Sequence, residues 1–328
     1  MIKIRPESDL PKTTAQTIRL PSTALFTVSS KDRFKDYLDR RSSVEENYKS
    51  PYNFLIYKNQ SLFNGFFTRI GLTEVVFPWT IPNINTKTNA ISYTVIGGLN
   101  PGTFLATLDN GFYRPSQIAS SLQTAIIAEL PSFTMNYGVI NGIPCFSYNT
   151  NDVNIEISFN PLAYNSSQYP FSSNIKQLFD LLGFNNVNTE LSVFGVGGST
   201  FCSFIEYVDF ICQDLTYNQA LKDGTSQQIS RDSISRVYIQ SDGTPSFLSA
   251  NDPDFCPAGC EPFIIYRQFT NPKQIQWSPS QPLGQVQIQV YDDQGELLTD
   301  YPISIGGNPA PFINTGTDFN LTFLVSEN

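Results

Sequence analysis

The amino-acid sequence predicts a mainly β protein, one β-sandwich or barrel interrupted by an inserted α+β lobe and preceded by an extended N-terminal arm. Three observations predict it. The chain is 13% aromatic but 15% charged, where an average chain carries about 25% charge. Its 26 Phe and 16 Tyr favour pleated surfaces, and its 20 Gly and 22 Pro punctuate short segments. Strand-like text lies before and after a middle block of mixed helical and strand text, and the later block reads as strands without a helix. At 328 residues there is ample material for a sizeable core.

Residues 1–24 are rich in Pro, Thr and Ser and lack periodicity, as an extended arm would. Residues 32–46 predict a short charged helix with Phe34, Tyr37 and Leu38 as a narrow apolar stripe. Strand text starts at residues 53–57 and resumes in the apolar run 65–77, which is broken by Pro78 and by the turn Ile81-Pro-Asn-Ile-Asn85. Residues 92–96 and 103–107 read as two strands around Gly97-Gly98 and Pro101-Gly102.

Pro115 suits a first helical turn. Ile118, Leu122, Ala125, Ile126 and Leu130 then follow a helical period that stops at Pro131. Three short strands are predicted at 133–137, 144–148 and 153–159, and a second helix at 175–182 ends on Gly183 as its C′ residue. Residues 200–215 alternate as one overlong strand, followed by strands at 233–240, 262–269, 286–291 and 319–325. Asp242-Gly243 and Asp293-Gln-Gly295 are turn signals. These readings divide the chain into an arm (1–52), a first part of the sandwich (53–90), an insertion (91–195) and a second part of the sandwich (196–328).

The sequence contains no histidine, which removes the Ser-His-Asp triad, the Cys-His dyad, the His-ligated zinc site and the His general base. Net charge is −9 and unevenly spread: residues 1–58 hold 11 Lys/Arg against 7 Asp/Glu, a net of +4, and the remainder carries −13. An acidic body should repel nucleic acid and anionic membranes, and a basic leading segment should dock on something acidic, such as its own body or a sister subunit. The opening residues form no signal peptide, and no stretch approaches the about 18 apolar residues of a membrane span. The chain therefore reads as soluble and made in a reducing compartment.

Cys145, Cys202 and Cys212 lie in apolar or alternating stretches and read as small core hydrophobes. Cys256-Pro-Ala-Gly-Cys260 is a close pair in a Pro/Gly loop, able to stay as thiols, to close a local disulfide or to supply half of a thiolate metal site. A metal would need two more ligands, and no second pair of that spacing occurs. Two carboxylate groups, Glu206/Asp209/Asp214 and Asp252/Asp254/Glu261, are the raw material for glycoside hydrolysis without histidine. Along a strand, however, Glu206 and Asp209 point to opposite faces, and the second group reads as a solvated loop. Asp292-Asp-Gln-Gly-Glu296 lacks the full alternating pattern of a calcium loop and reads as a hairpin turn. Gly195-Val-Gly-Gly198 lacks a phosphate-binding Lys and the strand-to-helix context of a nucleotide site. No cofactor is called for, and no enzyme signature emerges.

Three stretches carry a family resemblance. They are Leu25-Phe-Thr-Val-Ser-Ser-Lys-Asp-Arg33, the run from Asn64-Gly-Phe-Phe-Thr-Arg through Val76-Phe-Pro-Trp-Thr-Ile-Pro-Asn-Ile-Asn85, and Arg267-Gln-Phe-Thr-Asn-Pro-Lys-Gln-Ile-Gln-Trp277, continuing to Val290-Tyr-Asp-Asp-Gln-Gly295. Leu215-Thr-Tyr-Asn-Gln-Ala-Leu-Lys-Asp223 and the ending Asp318-Phe-Asn-Leu-Thr-Phe-Leu-Val-Ser326 join them. Together they resemble the vertex (penton) or minor capsid proteins of virophages, polinton-like viruses and related large DNA viruses. The resemblance implies an eight-stranded single jelly roll, with the insertion as a separate lobe. It implies a homopentamer at each icosahedral vertex of the virion, surrounded by trimers of the major capsid protein and in contact with other minor capsid proteins.

A closed ring uses heterologous contacts, so each subunit needs two different patches, and abundant Tyr and Phe suit such interfaces. Within the resembling motifs Arg33, Trp79, Arg267 and Trp277 combine interface-anchor chemistry with turn or strand-end positions. An equal reading has the two Trp residues filling the sandwich and the two Arg residues solvating its ends. A cement protein lying between capsomers and a glycan-binding β-sandwich module are the alternatives at the level of function.

Overall fold

A computed structural model describes residues 23–34, 50–57, 67–184, 189–200, 202–216, 233–239, 259–276, 285–299, 304–305, 308–309 and 317–326. The chain opens with strand β1 (Thr23–Ser29), a 3-10 turn at Ser30–Phe34, β2 (Asn53–Tyr57) and β3 (Arg69–Trp79). A middle block follows, with β4 (Ala90–Ile96), β5 (Gly102–Thr107), helix α1 (Pro115–Ile126), β6 (Thr134–Ile140), β7 (Ile143–Asn149), β8 (Glu156–Asn160), α2 (Leu178–Leu181) and β9 (Phe194–Val196). The last block holds β10 (Tyr207–Ile211), α3 (Gln213–Thr216), β11 (Ser233–Tyr238), β12 (Phe263–Gln268), β13 (Ile275–Gln276), β14 (Gln285–Asp292), β15 (Ser304–Ile305), β16 (Asn308–Pro309) and β17 (Asn320–Ser326).

Eight of these strands make two antiparallel sheets, ordered β1-β17-β3-β12 and β11-β10-β14-β2. Taken in chain order, the first four pair with the last four in reverse: β1 with β17, β2 with β14, β3 with β12, and β10 with β11. The chain is thus one long two-stranded ribbon rolled into a sandwich, which is the jelly-roll arrangement. The small strand β13 adds to β3, and β15 pairs with β16.

Period-2 sequence explains why these segments are strands with one wet face. In β14 the run Gln-Val-Gln-Ile-Gln-Val-Tyr-Asp buries every second side chain, so the glutamines face out and Val286, Ile288 and Val290 face in. Between the sheets Phe77 packs on Phe210 at 5.6 Å and on Phe319 at 5.2 Å, while Phe54 meets Phe319 edge-on at 5.8 Å. In β3 the register against β17 shifts between Thr322 and Phe323, a bulge that accommodates Thr73.

The middle block falls between the third and fourth jelly-roll strands. It folds into two three-stranded sheets, β5-β4-β8 and β6-β7-β9. Helix α1 lays Ile118, Ala119, Leu122 and Ile126 on them. The core of this lobe, around Phe133, Tyr148, Phe159 and Phe184, is continuous with that of the sandwich. The second helix is shorter than the predicted span 175–182, but it ends as predicted. Gly183 takes φ +68, its N–H donates to Asp180, the Phe184 N–H donates to Phe179, and the two Phe rings meet at 5.9 Å.

Three expectations are corrected. Residues 23–29, read as part of the arm, are the first strand of the sandwich. Residues 200–215 are not one strand: Cys202 sits at φ +57, β10 begins at Tyr207, and α3 starts at Gln213. Of the helix expected at 32–46, the described part is the 3-10 turn, and residues 35–49 lie outside the described residues. The turn at Asp242-Gly243 also lies outside them.

Candidate assembly surfaces

The residues singled out as interface anchors go to separate places. Arg33 pairs with Asp318, and its side chain is 8% exposed. The Ser30 hydroxyl donates to the same carboxylate at 2.8 Å and accepts from the Phe319 N–H at 3.0 Å. Burial alone would raise the Asp318 carboxyl, but hydrogen bonds from Arg33 and Ser30 and the Arg33 charge outweigh it and hold it below its ordinary value. This cluster ties the end of β1 to the start of β17. Arg33 is therefore committed within its own chain.

Trp79 is 2% exposed and packs beside Phe77 in the core, so its ring fills the sandwich and offers no surface. Arg267 stands opposite Val75, half-buried, on the side of β12 that turns inward with Ile265. Trp277 lies outside the described residues. No shared patch unites the three that are described. The physical reason is that a large ring or guanidinium serves a core or a strand end as well as an interface, and residue type does not separate the two.

Cys145, Cys202 and Cys212 are free and buried. Burial pushes the Cys212 thiol up to about 12 and raises Cys202 and Cys145 as well, so all three are neutral thiols in the core. Cys260 is buried and disulfide-bonded, and Cys256 lies outside the described residues.

The carboxylates do not converge either. Asp209 receives a bidentate pair from Arg236 at 2.8 and 2.9 Å, Asp214 accepts from the Gln287 N–H, Glu206 binds Lys176, and Glu261 binds Arg114. Asp252 and Asp254 lie outside the described residues. Among the described residues no group of three or more Cys, Asp or Glu could hold a metal ion. Asp292 accepts from the N–H groups of Gln294 and Glu296 at 3.0 and 2.8 Å, so its carboxylate caps its own turn. No helix among the described residues is long and apolar enough to cross a membrane.

What the sequence reading missed is the seam between lobe and sandwich. Asn83, 1% exposed, donates to the carbonyls of Tyr113 (2.8 Å) and Cys202 (3.3 Å) and accepts from the Tyr113 N–H (2.9 Å). One amide thus joins the departing chain, the lobe and the returning chain. Lys176 of the lobe donates to Glu206 at 3.0 Å and Asp293 at 3.2 Å, and Lys87 donates to Glu296 at 2.8 Å. Burial works against the Lys176 charge, but the carboxylates of Asp293 and Glu206 prevail and raise its pKa. The polar residues in Pro-Asn-Ile-Asn and Asp-Asp-Gln-Gly-Glu were a signal for this seam, since buried polar groups need partners.

The outer face of each sheet carries an exposed ring. On the first sheet, Ile264 (63% exposed) lies opposite Pro78 and Tyr266 (46%) opposite Val76. In the next row Glu74 accepts from the Tyr266 hydroxyl at 3.2 Å. On the second sheet, Tyr238 (53%) lies opposite Tyr207 with their rings 5.8 Å apart, and the Arg236 guanidinium stacks 3.8 Å over the Tyr207 ring. The lobe has its own exposed apolar tip, Leu99 in the β4–β5 turn and Val153 before β8.

No family model matches the chain, and no curated protein does. Among solved structures it is similar to the crystal structure of the selenomethionine-labelled mavirus penton protein. That likeness has 10% identity and a TM-score of 0.47 over 93% of this chain and 99% of that one. It is also similar to a chain of the Sputnik virophage structure determined by cryo-EM at 3.5 Å, with 12% identity and a TM-score of 0.42 over 92% of this chain and 97% of that one.

Proposed function

We propose that this chain is a structural virion protein, without catalytic activity, that closes a homopentameric ring at the vertices of an icosahedral capsid. The observation that carries the reading is the strand order. A ribbon rolled into two four-stranded sheets is the fold that the sequence resemblance to vertex proteins implies. Exposed rings on both outer faces supply the two unlike patches that a cyclic ring requires. The surrounding partner in this reading is the trimeric major capsid protein, with other minor capsid proteins beside it. Cys256 is the proposed disulfide partner of Cys260, and residues 91–195 are the proposed span of the lobe.

The test is the mass of the purified protein by light scattering at several salt concentrations, together with its position in purified particles. A mass of five chains and density at the five-fold vertices are the expected results. Density between capsomers would replace the vertex with a cement role. Absence from particles would overturn the reading.

A further inference from the structure

Three Asn-Gly pairs occur in the sequence, at 64–65, 110–111 and 141–142. The first lies outside the described residues, and the structure treats the other two in opposite ways. Asn141 and Gly142 are the two exposed residues between β6 and β7, where Ile140 pairs with Ile143. Both take positive φ, +53 and +79, as a two-residue hairpin turn demands. Among the described residues neither the Asn141 side-chain amide nor the Gly142 N–H has a hydrogen-bond partner. A Cβ placed on Gly142 would meet nothing within 4 Å.

The pair Asn110-Gly111 is held instead. Asn110 is 8% exposed. The Gly111 N–H donates to the Ile84 carbonyl at 2.8 Å, and the Gly111 carbonyl accepts from the Ile84 N–H at 3.2 Å. A Cβ on Gly111 would lie 3.3 Å from the Tyr113 ring.

We infer that Asn141 is a modification site, at which the chain turns its own side-chain amide into an acid without an enzyme. The Gly142 nitrogen gives its proton to base and attacks the Asn141 Cγ. A C–N bond forms, the Cγ–Nδ2 bond breaks, and the leaving nitrogen takes a proton from water and departs as ammonia. The five-membered succinimide left behind is opened by water at either carbonyl, giving aspartate or isoaspartate. Glycine is what lets the nitrogen in, since it brings no side chain to the closing ring and turns freely. At Asn110 the same closure would first have to break the two backbone hydrogen bonds to Ile84, inside a buried contact.

The product is ionised at neutral pH, so a negative charge is added to the hairpin tip between Val139 (38% exposed) and Ile143 (48%). The isoaspartate branch also lengthens the backbone of a turn that has only two residues to join β6 to β7. The charge of the lobe thus records the age of the chain. The site belongs to the lobe alone and does not depend on the vertex reading.

The experiment holds the full chain warm in mildly alkaline buffer and follows each Asn-Gly peptide by mass spectrometry over time. Conversion of amide to acid at Asn141 should run about tenfold or more faster than at Asn110, and the two rates should converge in denaturant, where the hold on Gly111 is gone. The Asn141 peptide should also accept a methyl group from protein isoaspartyl methyltransferase, and Asn141→Gln should abolish that labelling. Equal rates at the two sites in the folded chain, no conversion at Asn141, or a difference that persists unchanged in denaturant would overturn the inference.

Discussion

Asp318 shows how single side chains join distant parts of this chain. Its carboxylate takes hydrogen bonds from Ser30 and Arg33, so the residue before the last strand is bonded to the residues after the first. Its folded pKa lies below the unfolded value of about 3.9. The stability it contributes is therefore present above about pH 4 and is lost as pH falls through the lower folded pKa. Asp318→Asn should destabilise the protein at pH 7, with the gap from the unaltered chain closing as pH drops below 4. Denaturant midpoints across that range check it. Gly183 makes a second residue-scale case. An added Cβ would lie 2.5 Å from the Gly198 carbonyl oxygen, and φ is +68. Gly183→Ala should cost at least about 1–2 kcal/mol, read as a drop in melting temperature. That glycine was legible because a helical period followed by Gly names its own stop. The roles of Trp79 and Arg33 were not, because whether an anchor residue points in or out depends on strands far away in the sequence.

At the scale of elements, β3 organises the molecule, being paired with β17, β12 and β13 and opening into the lobe. Phe77 at its inner face is fully buried and touches Tyr52, Trp79, Phe210 and Phe319. Phe77→Ala removes a ring that packs between the two sheets, and about 3–5 kcal/mol of stability should go with it in equilibrium unfolding. Strands with one buried face, such as β2, β14 and β17, could be read directly, since alternation is the imprint of a half-wet sheet. The edge strand β1 hid itself: Leu25 is 71% exposed and the segment follows a Pro/Thr-rich stretch, so it read as arm. The stretch 200–215 misled in the other direction. Alternating rings continued through a backbone turn at Cys202 that no side-chain pattern reveals. The seam shows the same limit, since Asn83 is diagnostic only once Tyr113 and Cys202 are in place around it. Asn83→Ala should leave the lobe and sandwich folded but raise hydrogen exchange at Tyr113, whose N–H it binds.

Across the whole molecule, charge sets the conditions for assembly. In the proposed ring, bodies of one sign repel as they are brought together, and the leading segment offsets only part of this, since residues 1–58 carry +4 against −13 on the rest. The proportion of rings seen by light scattering should accordingly rise between about 0.01 and 0.15 M salt, as screening shortens from about 30 to about 8 Å. A fall over that range would mean that attraction between the basic segments and acidic bodies outweighs the repulsion. The mainly β class was legible from the aromatic excess and from the Gly and Pro that punctuate short segments. The seam between lobe and sandwich was not, because Asn83, Tyr113 and Cys202 come together only after the ribbon has rolled.

That rolling also sets a timetable for synthesis. Thr23 faces Ser326, so the first strand to leave the ribosome waits for the last before it has a partner. The lobe pairs within itself, β4 with β5 and β8, β6 with β7 and β9, and every one of those strands is translated before β10. Local contacts form faster than distant ones, so the lobe should mature on the nascent chain while the sandwich is still open. A polypeptide with no closed sandwich presents no finished outer faces, so assembly in the proposed ring has to wait for β1 to meet β17.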